Sequence, residues 1–379
     1  MAPRPALPPD TERILDIARR DRVSATRALA ELSLEEQVAV VCEAPIARRA
    51  ELLNLVPFPE NVIPQIPEAE FCFTVKAIGL ADAPWLLEYA TPEQVVACVD
   101  LDGWTGLTPD RETLDAWIDA LADTGAESFL RSVRALDPEV IVLYLKNRIL
   151  VVQKPDEKEG WDPPEGSQTL DGQFYFTARS EDDDLTAVNK MLRVLFEQDY
   201  WTYFRMTQGT IWELESTNEE WALRWRTKRL EDLGFPPWDE AMNIYRFIEV
   251  DERAAIPEGI RPLDVGEWHL PLWIPELPTE ADSRHPIFRT IPLLEDFERR
   301  SAFYAFVATA NKVAVADQMK LSDAEFAPRA IDKAAHFISA GLEHIAAAHR
   351  IEAVEVLRRV SMERLFRVGA NLDPERARS

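Results

Sequence analysis

One local grammar recurs along this chain and restricts what it can fold into. Between Ala28 and Val152 a capping residue, one or two acids and a short aliphatic run are followed by a proline or glycine stop, several times over. Ser33 with Glu36 three residues later forms a capping box, in which the hydroxyl accepts from the third helical amide and the carboxylate reaches back to the cap amide. Thr91-Pro92-Glu93-Gln94 combines a cap, a proline at the first helical position and a glutamine at the third. Thr108-Pro109-Asp110 and Asp137-Pro138-Glu139 open two further helices in the same way. Val38–Val41 and Val95–Cys98 then line up as equivalent aliphatic faces. Helices this short cannot hide their own apolar side and must lie on neighbours, which is the physical basis of a stacked repeat. The expected fold is all-α, with an N-terminal stacked short-helix repeat, solenoid-like, and a C-terminal irregular helical domain that contains a Pro-rich extended segment. An irregular helical domain with common capping chemistry produces the same local signals.

The division expected from composition is a flexible arm over 1–10, an N-terminal helical repeat domain over 11–152, a linker over 153–172 and a C-terminal helical domain over 173–379. The linker carries Pro155, Gly160, Pro163, Pro164, Gly166 and Gly172, the punctuation of a surface loop. Gln173–Ala178 has strand character, but a single short run makes no sheet. Leu185–Asp199 reads as a helix, and Thr217-Asn218-Glu219-Glu220 reads as the cap of another that ends at Gly234. Six prolines between Tyr245 and Pro286 forbid a long helix, so that segment is expected to be extended and anchored by Trp268, Leu270, Leu272, Trp273 and Ile274. Helix resumes from Pro292 to Asp317, Ser322-Asp323-Ala324-Glu325 reads as another capping box, and a last helical stretch covers Arg329–Val368 with a break near Gly341.

The charge narrows the partners. Over 379 residues the net charge is −25. Such a surface repels phosphate backbones, so nucleic-acid binding is not expected, and anionic membrane surfaces are disfavoured for the same reason. No apolar run is long enough to span a bilayer, and the first ten residues lack the apolar stretch of a signal peptide. Cys42, Cys72 and Cys98 are an odd, sparse set and no disulfide framework. A cytoplasmic location follows as the expectation.

Chemistry-bearing motifs are missing from the sequence. There is no Gly-x-Ser-x-Gly elbow, no Gly-x-Gly-x-x-Gly and no phosphate-loop signature, so no catalytic, cofactor-binding or metal residue is assigned. The acidic run Glu181–Asp184 complements the positive end of the following helix dipole more simply than it binds calcium. His269, His285, His336, His344 and His349 do not have the spacing of a helical zinc pair. One basic cluster with interleaved aromatics stands out: Trp221, Arg224, Trp225 and Lys228. It reads either as an anion- or partner-binding patch or as a helix whose Trp221 and Trp225 pack inward while Glu220 pairs with Arg224.

Leu32-Ser33-Leu34-Glu35-Glu36 with Val38–Val41, Ala90-Thr91-Pro92-Glu93-Gln94 with Val95–Val99, and Leu136-Asp137-Pro138-Glu139 resemble the helical repeats of the N-terminal domain of the magnesium transporter MgtE and of related flagellar motor switch domains. The copies here are unevenly spaced and no membrane domain follows them. Ala310–Asp317 and Leu365–Gly369 look like an uncharacterised bacterial family of unknown function, a resemblance that implies no activity. The expected role is a non-catalytic protein-binding or scaffold protein that presents an acidic helical surface to a basic or amphipathic helix. Two other readings stay open: an enzyme of unknown class with a site between the two halves, around the Trp201–Trp238 region, and a cation-responsive regulator, which the MgtE resemblance alone implies.

Overall fold

The computed structural model describes residues 9–155, 160–180, 184–256 and 284–374. Most of the N-terminal arm, residues 181–183 of the acidic run, His269 and the anchors Trp268, Leu270, Leu272, Trp273 and Ile274 lie outside the described residues. The described residues are 71% helical, and the only sheets among them are two antiparallel strand pairs. The fold is therefore all-α. It divides into two compact units, Met1–Arg226 and Thr227–Ser379.

In the first unit two of the four expected caps, Ser33 and Thr91, act as their spacing predicts. Ser33 and Glu36 make a reciprocal capping box ahead of Leu34–Glu43, and Thr91 and Gln94 make one ahead of Pro92–Asp102. Thr108 and Pro109 open no helix: they form a short strand paired with Trp104–Thr105, and Asp110 caps Arg111–Ala122 by accepting from the Thr113 amide, whereas Asp137 makes no side-chain cap bond to Pro138–Arg148. The short helices then pack in a ladder. Ile46–Leu53 lies on Glu68–Ile78, which lies on Pro92–Asp102, which lies on Ala126–Ala135, which lies on Thr186–Gln198. Each helix thus hides its apolar stripe against the next but one in the chain: Leu52, Phe71, Cys72, Val95, Cys98 and Phe129 are all at most 1% exposed. Within this ladder Arg49 is 5% exposed. Its guanidinium meets Glu70 at 2.6 Å and donates to the Ala44 and Cys42 carbonyls. A buried cation needs this full set of acceptors to offset its lost hydration.

Two further features depart from what the sequence leads one to expect. Ile149–Gln153, which spans the end of the expected helical domain and the first residue of the expected linker, is a strand, and it pairs antiparallel with Phe174–Ala178. The run that looked too solitary for a sheet finds its partner across the Gly/Pro-rich loop. The helix Glu215–Asp232 begins before Thr217, so Thr217 lies inside it and caps nothing.

In the second unit three helices form the core: Asp296–Ala316, Phe326–His349 and Met362–Leu372. Ser322 does not cap the second of these, which begins beyond Glu325 without a side-chain cap. The break expected near Gly341 falls instead at Arg350, whose left-handed backbone (φ 54°) ends that helix. Gly341 has another use. A Cβ there would come 2.8 Å from the Leu365 carbonyl carbon, and one at Gly369 would come 2.8 Å from that of Phe337. Each helix supplies the missing side chain that lets the other's backbone close in. Asn371 ties the neighbouring chain to this core: its Oδ1 accepts from the Ile248 amide, and its Nδ2 donates to the Arg246 and Arg367 carbonyls.

Candidate functional site

Helix Tyr200–Trp212 of the first unit has two dissimilar sides. Asp199 fixes its start, with one carboxylate oxygen accepting from the Thr202 amide and the other from Arg134 Nε at 2.8 Å. The Arg134 hydrogen bond holds the Asp199 carboxyl below its ordinary value. Tyr203, Met206, Thr207 and Thr210 form the buried side. Gly209 joins them because a Cβ there would press on Val142 at 2.8 Å. On the other side Trp201 is 78% exposed and Trp212 is 71% exposed. Eleven residues separate them, which on a helix is about 20° of rotation and roughly 16 Å of rise. The two indoles therefore stand on one face, three turns apart. Phe204 stacks edge-on to Trp201 at 6.3 Å, and Leu214, just past the helix, is 70% exposed.

The next helix, Glu215–Asp232, carries the sequence-predicted patch. Arg111 holds its first turns through Glu219 at 2.7 Å and Glu215 at 2.8 Å. Those hydrogen bonds raise the Arg111 guanidinium and lower the Glu215 carboxyl from their usual values. Asn218 and Ala222 take the inward positions, at 2% and 1% exposure. Trp221 and Trp225 do not pack inward. They stack on each other with centroids 6.1 Å apart and remain 43% and 46% exposed. The reason is angular: they sit on one shoulder of the buried stripe, about 60° and 20° from Asn218, where a ring as large as indole protrudes. Arg224 lies over the Trp221 ring at 4.8 Å and pairs with Glu220 at 2.6 Å. Lys228 is drawn towards Glu231 and Asp232, at 3.7 and 3.8 Å. Both cations of the patch are thus partly neutralised by their own helix, which weakens it as an anion site and leaves it as an aromatic one.

The sequence draws attention to the Trp201–Trp238 region but does not mark Trp201, Trp212 and Leu214 as exposed. The eleven-residue spacing of the two tryptophans was visible, but spacing does not say which side of a helix meets the core. Exposed apolar groups of this size, clustered within one stretch of chain, mark interaction surfaces more than scattered ones do.

A polar cluster lies between two helices of the first unit. Arg148 bridges Asp115 and Asp119, Tyr144 donates to Asp119 at 2.8 Å, and Asn147 donates to Asp115 at 2.5 Å. Burial pushes the Asp115 carboxyl and the Tyr144 hydroxyl up from their ordinary values. This set joins Arg111–Ala122 to Pro138–Arg148 as a clamp. Two open depressions lie elsewhere on the unit, of about 320 Å³ around Leu34, Phe58 and Gln65 and about 460 Å³ around Glu88, Glu127 and Arg131. In the second unit His285 pairs with Asp332 at 2.9 Å and His349 bonds the Ala254 carbonyl. Among the described residues no group of three or more His, Cys, Asp or Glu is placed to hold a metal ion, and no helix is long and apolar enough to cross a membrane. All three cysteines are buried and free.

A family of unknown function, DUF6178, matches residues 26–374, and the chain belongs to it. No curated protein and no solved structure matches the chain.

Proposed function

We propose that this member of the family is a non-catalytic protein-binding or scaffold protein, and that its docking face is the aromatic surface of residues 200–225. The observation that carries the reading is the exposure of Trp201, Trp212 and Leu214, each at 70% or more. Tryptophan is the residue most enriched in interface hot spots, and holding three such side chains in water gains nothing for an isolated chain. The partner chemistry follows from the setting. Residues 197–220 contain six carboxylates and one arginine, and Glu197 and Glu213, which flank the two tryptophans in sequence, have no ion pair among the described residues. A basic amphipathic helix, with an apolar stripe for the indoles and cations for the acidic rim, fits best.

The helix-on-helix ladder of the first unit supports the reading as a stacked repeat, and with it the MgtE-like resemblance. The surface charge supports a protein partner over nucleic acid, and the buried free thiols support a cytoplasmic location. Site-specific photocrosslinking in the native host tests the proposal. A photoreactive phenylalanine at position 201 or 212 is expected to trap one discrete partner whose contact segment is basic and amphipathic. The same group at Val23, an isolated exposed residue (68%), is expected to trap nothing. Identical adducts from all three positions, or none from 201 and 212, would overturn it.

A further inference from the structure

Among the described residues the hairpin of the first unit has hydrogen bonds along one outer edge, at Gln168, and unfilled main-chain groups on the other. The bonds Lys154 N–H to Gln173 O and Arg179 N–H to Arg148 O mark the bonded pairs at its two ends. In an antiparallel ladder bonded and non-bonded pairs alternate, so Leu150 and Val152 face Thr177 and Tyr175 as bonded pairs. Ile149, Val151 and Gln153 therefore turn their main-chain groups away from the partner strand. The opposite strand confirms this phase: Phe176, which faces Val151, sends both its amide and its carbonyl outward to Gln168, at 2.9 Å each. Gln168 thus covers the edge at Phe176. On the other edge the Ile149 amide is taken by the Leu145 carbonyl. Val151 and Gln153 have no hydrogen-bond partner on that edge among the described residues.

An unprotected edge invites another strand, and proteins usually guard one with charge, proline or a bulge. Here residues 149–153 read Ile-Leu-Val-Val-Gln. Leu150 is 51% exposed and Val152 is 39% exposed on the outer face. We propose that this edge is a self-association surface, occupied by the same strand of a second copy to give a continuous sheet across a two-fold axis at Val151.

Two arguments select a second copy. The first is charge. Two molecules of net charge −25 repel over most of their surfaces, and this strand is uncharged from end to end. Arg148, which comes opposite Lys154 of the second copy, is already neutralised by Asp115 and Asp119. The second is register. With Val151 opposite itself, the residues with outward main-chain groups meet each other: Val151 bonds Val151 in both directions, and each Gln153 amide reaches the other copy's Ile149 carbonyl. Leu150 then lies directly against Val152 of the second copy, so each exposed apolar side chain is covered by the other. An isologous contact of this kind closes as a dimer.

Analytical ultracentrifugation of the full-length chain at micromolar concentration tests this, with far-UV circular dichroism to confirm folding. The wild-type chain is expected to sediment as a dimer. Val151→Pro deletes an outward donor at an edge position that tolerates proline, and is expected to weaken association at least about tenfold. Leu150→Lys/Val152→Lys sets lysine against lysine across the axis and is expected to give monomer. Leu150→Lys/Val152→Glu sets lysine against glutamate and is expected to restore the dimer. A wild-type monomer, a dimer that survives both Val151→Pro and the double lysine, or a Lys/Glu variant that stays monomeric overturns the proposal. None of these results bears on the aromatic face.

Discussion

Gly369→Ala probes the core of the second unit most sharply, because two effects of opposite sign act at one atom. Alanine is the better helix former by roughly 0.5–1 kcal/mol, so the substitution stabilises an uncrowded helix. At Gly369 the new methyl would stand 2.8 Å from the Phe337 carbonyl carbon and 3.0 Å from its Cα, with the carbonyl oxygen nearer still. These are backbone atoms and cannot rotate aside. Reaching an ordinary contact of about 3.5 Å or more requires the helices Phe326–His349 and Met362–Leu372 to separate by roughly 1 Å, which forfeits up to about half of each contact well between them. Phe337, Ile338, Leu342, Leu365, Phe366 and Val368, all at most 2% exposed, surround the crossing. The overpacking penalty of about 1–3 kcal/mol and the loosened contacts together outweigh the propensity gain. A net loss of about 2–3 kcal/mol is expected, a fall in melting temperature of roughly 4–12 °C at the sensitivity of a unit this size. Urea unfolding and calorimetry read it directly, and Gly341→Ala, which meets Leu365 in the same way, should behave alike. Ala348→Gly, at an exposed site in the last turn of the same long helix, should cost no more than about 1 kcal/mol. A Gly369→Ala protein as stable as wild type, or more so, refutes the close-crossing argument.

Other perturbations test separate parts of the structure. Glu70→Ala strips the buried Arg49 of its carboxylate and is expected to cost about 3–5 kcal/mol in chemical denaturation, whereas Arg49→Met/Glu70→Met should recover most of that loss; equal losses would contradict the reasoning. Asn371→Ala removes three hydrogen bonds and should cost about 1–3 kcal/mol, with faster hydrogen exchange at the Ile248 amide, and unchanged exchange there would count against the tie. Burial pushes the Cys42 thiol up to about 12, whereas an unfolded thiol ionises near ~8.5. The folded state therefore holds its proton longer, so this contribution is whole below about pH 8.5 and is lost as pH rises from there towards 12. The urea midpoint should fall more steeply between neutral and alkaline pH for wild type than for Cys42→Ala, and parallel curves would contradict it.

The readable part of this protein was local. The capping boxes at Ser33 and Thr91 join groups three residues apart, so their geometry is written in a single helical turn. The all-α character follows from the same short-range chemistry. What escaped depends on partners distant in sequence. Ile149–Gln153 continues an aliphatic helix without punctuation, and only its pairing with Phe174–Ala178 makes it a strand. Gly341 looks like a helix breaker until Leu365 is seen against it, while the actual break at Arg350 involves no glycine at all. Trp221 and Trp225 have the spacing of a buried pair, yet the stripe that meets the core is centred on Asn218 and Ala222. Spacing fixes which residues share a side of a helix; the neighbouring elements decide how far that side is buried.

The proposed role rests on the Trp201–Trp212 face binding a protein partner. Isothermal titration of the crosslinked partner's basic amphipathic segment, as a synthetic peptide, into wild type and Trp201→Ala/Trp212→Ala measures this most directly. The claim predicts one-to-one binding to wild type and a loss of at least about 30-fold in the variant, the scale of a single hot spot of about 2 kcal/mol, with its melting temperature unchanged. Equal affinity for the two proteins would contradict it.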